Sequence, residues 1–317
     1  MMGVFERVAR PTILAAARRD GLRRTAERLP LTRKVVHRFV PGETVDDALD
    51  SVAQLRDSHR LVSIDHLGED VSDADVANQN VAAYLSLLDG LARREEDSAA
   101  AVRPLEVSVK LSALGQALAR DGEKIALENA HTICAGAQRI GAWVTVDAED
   151  HSTTDSTLSI VRDLRTEFDW LGTALQAYLK RTYADCEEFS DARIRLCKGA
   201  YDEPASVAYR DRDEVTDSYL RCLRVLMAGR GYPMVASHDP AVIAAVPTLV
   251  RESRRSRDDF EYQMLYGIRE SEQLRLADAG QHVRVYVPFG AQWYGYFVRR
   301  LAERPANLAF FLRALAG

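Results

Sequence analysis

A chain of 317 residues, 47% hydrophobic and 28% charged, can bury a large core, as one barrel or as two ordinary domains. Its net charge of −5 argues against a broad nucleic-acid surface, although local arginines can still hold a small anion. Four cysteines (Cys134, Cys186, Cys197, Cys222) with no CxxC pair fit reduced thiols better than a disulfide framework or a zinc site. Arg and Asp interrupt the apolar residues of the N-terminus, unlike a signal peptide, and no apolar run reaches the ~18 residues of a membrane span. The expected location is cytoplasmic, with at most peripheral contact at the inner face of a membrane.

Residues 1 to about 39 read as helical, with Ala and Arg dominating 12–28 and Pro30 ending that stretch. Val40-Pro41-Gly42-Glu43-Thr44 is a turn, dividing an N-terminal helical segment (1–43) from the main domain (44–317). Thr44 is placed to cap a helix running to about Ser58, with Asp46 and Asp47 in its first turn, where the helix dipole favours acids. Strand candidates then recur at 61–65, 106–111, 143–147, 174–178, 193–198, 233–237, 260–265 and 283–287. Helical patterns fill the gaps, at 73–92, 122–140, 155–168, 213–229 and 241–253, and the crossover at 179–191 has room for one short helix. The charged runs 93–98 and 251–259 read as solvated loops or helix ends. Strand and helix alternating over roughly 250 residues predict a (β/α)8 TIM-type barrel, with a doubly wound open sheet as the alternative.

A barrel of this kind puts its active site where the strands finish. Charged and polar residues gather at those ends. Asp65 and Glu69 end or follow the first strand, Lys110 the second, and Asp147 and Glu149 the third. Gln176 lies in the fourth, Arg195 and Lys198 flank the end of the fifth, and Ser237-His238-Asp239 follows the sixth. Glu261 and Gln263 alternate along the seventh, and Tyr286 lies in the eighth. Each alone has a structural explanation, a salt-bridged rim residue or a helix cap. Together they need partners, and a bound ligand would supply some of them.

The last helical stretch, 292–304, adds Tyr296, Arg299, Arg300 and Glu303. Tyr296 and Arg299 are three apart, as are Arg300 and Glu303, so each pair can share a face. Two guanidiniums beside phenols suit a clamp for a carboxylate or phosphate. No GxGxxG follows a strand, and GxxxxGK[ST], HExxH and GxSxG are missing. The cationic excess at the strand ends points to an anionic cofactor or substrate rather than to a metal.

The stretches SIDHLGE (63–69), VSVKLSALG (107–115), VTVDAED (144–150), LQAY (175–178), RIRLCKGAY (193–201), SHDP (237–240), EYQMLYG (261–267) and VRVYVPFGAQWYGYFVRRLAER (283–304) resemble proline dehydrogenase. The wording and length look like the short monofunctional branch, without an aldehyde dehydrogenase domain. The resemblance implies a distorted (β/α)8 barrel holding FAD non-covalently at its strand ends. It implies hydride transfer from L-proline to flavin N5, giving 1-pyrroline-5-carboxylate, with a membrane quinone reoxidising the flavin. Arg299 and Arg300, helped by Lys110, would bind the proline carboxylate, and Tyr201, Tyr286 and Tyr296 would line its ring. Arg195 would lie beside flavin N5. Asp147, Gln176, Lys198, Gly199, Ala200, Ser237, His238 and Glu303 would surround the flavin or its contacts. Glu69 and Asp65 would pair with Arg299 as a gate, and Arg195, Lys110 and Tyr286 would serve catalysis. The chain departs from the family pattern at Asp202, where long bifunctional members often carry Trp, and at Ser237, where Thr is frequent. Two other readings stand beside this one: another flavin barrel, such as a folate-reductase relative using NAD(P)H, and a non-catalytic binding barrel.

Overall fold

Eight parallel strands pair in chain order, and the last closes onto the first: β1 (Leu61–His66), β2 (Leu105–Val109), β3 (Trp143–Val146), β4 (Gly172–Gln176), β5 (Arg193–Cys197), β6 (Tyr232–Ala236), β7 (Glu261–Leu265) and β8 (Val283–Phe289). This computed structural model describes residues 36–93 and 102–303, the last three as backbone only. The helices expected in 1–35, residues 94–98 of the first charged run and the side chain of Glu303 lie outside the described residues. Helix α1 (Val45–Asp57) precedes the barrel. Each strand is then followed by one helix: α2 (Ala74–Ala92), α3 (Gly122–Arg139), α4 (Thr154–Arg165), α5 (Thr182–Glu188), α6 (Arg212–Ala228), α7 (Pro240–Ser253), α8 (Glu270–Asp278) and α9 (Trp293–Glu303). A closed sheet rules out the doubly wound alternative.

The strands alternate with period two, and the two faces differ in chemistry. Val62, Ile64, Val107, Val109, Val144 and Val146 join Tyr84, Leu87, Ile133 and Val161 of the helices in one core cluster outside the barrel wall. The alternate positions, among them Ser63, Asp65, Glu106, Ser108, Arg193, Arg195, Glu261, Gln263 and Arg284, are buried and bond one another across the interior.

Helix starts follow capping chemistry. Thr44 and Asp47 form a reciprocal capping box at α1. Asp73, Asp211 and Asp239 each accept an N–H two residues on, and Pro240 occupies the first turn of α7. Three strands differ from expectation by two residues at one end or both, the others by at most one, and β8 runs on to Phe289, past the expected 287. β4 begins at Gly172, earlier than the expected 174, where a Cβ would lie 3.1 Å from the Arg193 carbonyl, so the glycine belongs to the wall rather than to a turn. β2 stops at Val109, and Leu111 opens a 3-10 turn, Leu111–Leu114, instead of extending the strand. Within 251–259, Arg255 is half-buried and donates to the Met227, Gly229 and Gly231 carbonyls, so it pins this loop rather than merely solvating it.

Val36, Phe39 and Val40 pack with Trp293, Phe297 and Val298 in a second cluster, which seats α9 over the C-terminal end of the barrel. No described helix is long and apolar enough to cross a membrane.

Candidate active site

The barrel interior is an ion network. Low in the barrel, Arg284 is fully buried, forks onto Glu261 at 2.7 and 2.9 Å and donates to the Val62 carbonyl at 2.9 Å. Glu106 accepts from Arg193 and Arg195, both at 2.6 Å, and the Arg193 guanidinium stacks 3.7 Å from the Trp143 ring. Arg195 spends all its N–H groups inside the barrel: on Gln263, Ser108, Asp147, Ser63 and Glu106. It therefore reaches the site mainly as a fixed positive charge.

Above this layer the structure gathers three of the expected residues, and Ser108, around the carboxylate of a fourth. Asp147 accepts from Arg195 at 2.5 Å, from the Tyr286 hydroxyl at 2.7 Å, from Ser108 at 2.8 Å and from Lys110 at 3.4 Å. Burial opposes its charge, but the Lys110 ammonium and the Arg195 guanidinium outweigh it and hold the carboxyl below the ordinary range. Lys110 also donates to Asp65 at 2.6 Å and Tyr286 at 3.2 Å. Burial works against the ammonium, yet Asp65, Tyr286 and Asp147 keep it charged well above the ordinary lysine range. Its three protons thus have three acceptors, and the long bond to Asp147 is the one most readily exchanged for a ligand. Burial first, then Asp147 and Asp65, push Tyr286 far up, so it stays a neutral phenol.

Helix α9 carries Tyr296, Arg299 and Arg300, which share a face at helical spacing. Arg299 forks onto both oxygens of Glu69, and its guanidinium lies 5.7 Å from the Tyr201 ring. The Arg300 guanidinium lies 5.0 Å from the Tyr296 ring, and both residues are buried. Of the two carboxylates expected on Arg299, Glu69 is there; Asp65 instead holds Lys110 and accepts from Tyr84 at 3.3 Å. The reason is register: Asp65 lies within β1, pointing into the barrel, whereas Glu69 lies in the loop beyond it.

A second polar arc runs along the ends of β4, β5 and β6. Gln176 donates to the Glu149 carbonyl at 2.7 Å, and Lys198 to Asp239 at 2.6 Å and Thr216 at 2.7 Å. Ser237 accepts the Asp239 N–H at 3.1 Å, and His238 Nε2 accepts the Leu265 N–H at 2.9 Å. Gly199 has φ 112°, and a Cβ there would lie 2.2 Å from the Tyr178 ring, so only glycine lets the chain turn from Lys198 into Ala200 and Tyr201. An amide, an ammonium, a hydroxyl and an imidazole beside the N-terminus of α7 make a donor set that fits an extended anionic cofactor.

Several residues of this machinery escaped the reading of strand ends: Glu106, Arg193 and Arg284 below the site, Ser108 between Arg195 and Asp147, and Ser112 beside Glu149. The signal that would have found most of them is the alternation Glu106-x-Ser108-x-Lys110, Arg193-x-Arg195 and Arg284-x-Tyr286. Ser112 lies past the strand and carries no such signal.

The sequence profile of the family described as Proline dehydrogenase matches residues 48–313. Proline dehydrogenase 1 of Bacillus subtilis subsp. natto is 38% identical over 286 residues, 90% of this chain and 91% of that relative. Proline dehydrogenase of Deinococcus radiodurans is 36% identical over 316 residues, 98% of this chain and 99% of the relative. Among solved structures, proline utilization A from Bdellovibrio bacteriovorus inactivated by N-propargylglycine superposes with a TM-score of 0.77 at 25% identity, covering 85% of this chain and 32% of that one. A closed barrel with a charged mouth, a family profile spanning most of the chain and full-length relatives of one kind agree: this chain is an oxidoreductase of the proline dehydrogenase family.

Proposed function

We propose that this chain oxidises L-proline to 1-pyrroline-5-carboxylate with FAD held along the β4–β6 arc and proline between that arc and α9. The observation that supports it most is that Arg299 lies by Tyr201 and Arg300 by Tyr296, while Tyr286 of the Lys110–Asp147 cluster packs against the apolar cluster that contains Tyr296. FAD, when bound, supplies the hydride acceptor. Gln176, Lys198, Gly199, Ala200, Ser237 and His238 would hold it, and the resemblance adds Glu303, whose side chain lies outside the described residues.

The residues of the chain do the rest. Arg299 and Arg300 fix the proline carboxylate and leave the five-membered ring free to lie flat. The Tyr201, Tyr286 and Tyr296 rings wall the pocket and keep water out. Arg195 places a permanent charge beneath the reacting end, where negative charge develops. Lys110, held by Asp65, positions the Tyr286 ring and exchanges its long bond to Asp147 for the proline carboxylate. Glu69 neutralises Arg299 and closes the mouth as a gate. Solvent takes the proton from the ring nitrogen. A quinone, met in peripheral contact at a membrane surface, would serve as the acceptor that reoxidises the cofactor.

Anaerobic addition of L-proline to the FAD-loaded protein should bleach the visible flavin band. Bleaching by NAD(P)H with proline inert would favour a folate-reductase-like enzyme instead. Changing Arg299 and Arg300 together to Ala should weaken proline binding by more than about 100-fold, because two charge-assisted contacts at ~1.5–3 kcal/mol each are lost. Unchanged proline affinity in that variant would sink the assignment.

A further inference from the structure

Glu69 meets Arg299 only while the loop between β1 and α2 keeps its shape. That loop contains Asp70 at φ 54°, a left-handed backbone unfavourable for a residue with a Cβ. Something must hold it there, and Ser112 supplies two of the hydrogen bonds that do so. The Asp70 N–H donates to Ser112 Oγ at 3.0 Å, and the Val71 N–H donates to the Ser112 carbonyl at 3.1 Å. Ser112 lies on the buried 3-10 turn directly after Lys110. Asn80 of α2 braces the same turn by donating to the Ala113 carbonyl at 2.9 Å.

Ser112 is itself held from the far side. Its N–H donates to Glu149 Oε1 at 3.1 Å, and its hydroxyl proton goes to Glu149 Oε2. Ser112 Oγ therefore donates to Glu149 and accepts from Asp70, which fixes the direction of the whole chain. Glu149 is buried, and among the described residues no ion pair of its carboxylate is seen. A buried carboxyl without a cation at contact is costly, and here Ser112 is its side-chain partner. A chain of hydrogen bonds thus runs from the end of β3 across the end of β2 to the loop that carries Glu69.

We propose that Ser112 and Glu149 are positioning residues for the substrate gate, holding loop 68–71 so that Glu69 can close on Arg299. The inference rests on the reading of Glu69 and Arg299 as a gate given above. The clamp needs Glu149 to accept two hydrogen bonds at once, which its ionised form does best. Burial pushes that carboxyl up to about 7, against the two bonds from Ser112. Lys110 and Glu69 are the charged groups facing it, with the Tyr201 phenol beside them. The loop is then held firmly above neutrality and more loosely below it.

The test uses the full FAD-loaded chain and two readouts, amide exchange over residues 67–72 and proline saturation. Ser112→Ala should lower protection of the loop about tenfold and raise the proline KM about tenfold, with the change falling on KM rather than kcat. Ser112→Thr, which keeps the hydroxyl, should restore both. In a Glu69→Gln background, Ser112→Ala should still loosen the loop but raise KM no further. Loop protection should fall in the wild type as the pH drops through about 7 and stay level in Glu149→Gln, once intrinsic exchange is divided out.

Unchanged loop protection in Ser112→Ala overturns the clamp. So does a KM effect of equal size with and without Glu69, which would mean that Ser112 acts elsewhere. If Glu69→Gln alone leaves proline saturation untouched while Ser112→Ala loosens the loop, the gate reading has failed, and this inference falls with it. Should Ser112→Ala not fold, Glu149→Gln decides by the same exchange readout, and an unaltered loop overturns the proposal.

Discussion

Gly199 and Glu149 show how single positions carry the site. At Gly199 the backbone needs φ 112° and the space of a Cβ is filled by the Tyr178 ring. Gly199→Ala should destabilise the fold by roughly 1–3 kcal/mol and loosen FAD, read by thermal melts and flavin retention on a desalting column. Glu149 affects stability with a definite sign. Its folded value, about 7, stands above the ordinary 4.5, so the folded chain binds the extra proton between those limits. Stability from this group is therefore full at low pH and declines as pH rises from 4.5 to about 7. Glu149→Gln should flatten that slope, which amounts to on the order of 3 kcal/mol at most. A melting temperature whose pH dependence is unchanged by the substitution would contradict the assigned burial.

At the scale of elements, α9 is a helix that serves as a lid. Its apolar side, Trp293, Phe297 and Val298, packs on Phe39 and Val40, and its polar side presents Arg299 toward Glu69 and Tyr201. Phe297 is fully buried, and its ring sits 6.1 Å from Phe39 and 5.9 Å from Trp293. Phe297→Ala should cost about 3–5 kcal/mol locally. Because the loss falls on the lid rather than the barrel, proline affinity should drop while the main unfolding transition moves little, which parallel titration and calorimetry can separate. The β5–α6 connection behaves differently. Glu203 accepts the His151 N–H at 2.9 Å and the Tyr178 hydroxyl at 3.3 Å, so the segment that carries Tyr201 is tied back to neighbouring strand ends.

The molecule as a whole is a barrel turned inside out in chemistry: apolar on the wall that faces the helices, ionic along its axis. Such a core is vulnerable to acid. Burial opposes the charge of Glu106, but Arg284, Arg193 and Arg195 outweigh it and hold the carboxyl at about 2. A depressed folded value gives stability that is present above the ordinary 4.5 and lost as pH falls toward about 2. Cooperative unfolding should therefore begin below about pH 4.5, visible by circular dichroism. Glu106→Ala should cost about 3–5 kcal/mol at neutral pH, because it leaves Arg193 and Arg195 buried without their shared anion. A variant as stable as the wild type would mean that the arginines find other partners.

The amino-acid order alone determined the number of strands, most of their positions, the capped helix at Thr44 and the residue types at the mouth. These depend on contacts a few residues apart, a period of two in the wall and side-chain caps at helix starts. The same order left β4 displaced by two residues, because a glycine gives no side-chain signal for a strand, and only the strand beside it shows Gly172 in the wall. It also left Asp65 standing beside Glu69 as a second partner for Arg299. Only the closed sheet separated them, by turning Asp65 inward onto Lys110 and leaving Glu69 on the loop under α9. Pairings such as Arg195 with Glu106 or Ser112 with Glu149 join strands and loops far apart in the chain. No local pattern encodes them; strand register and barrel closure do, because a buried charge must take whatever partner the wall brings within reach.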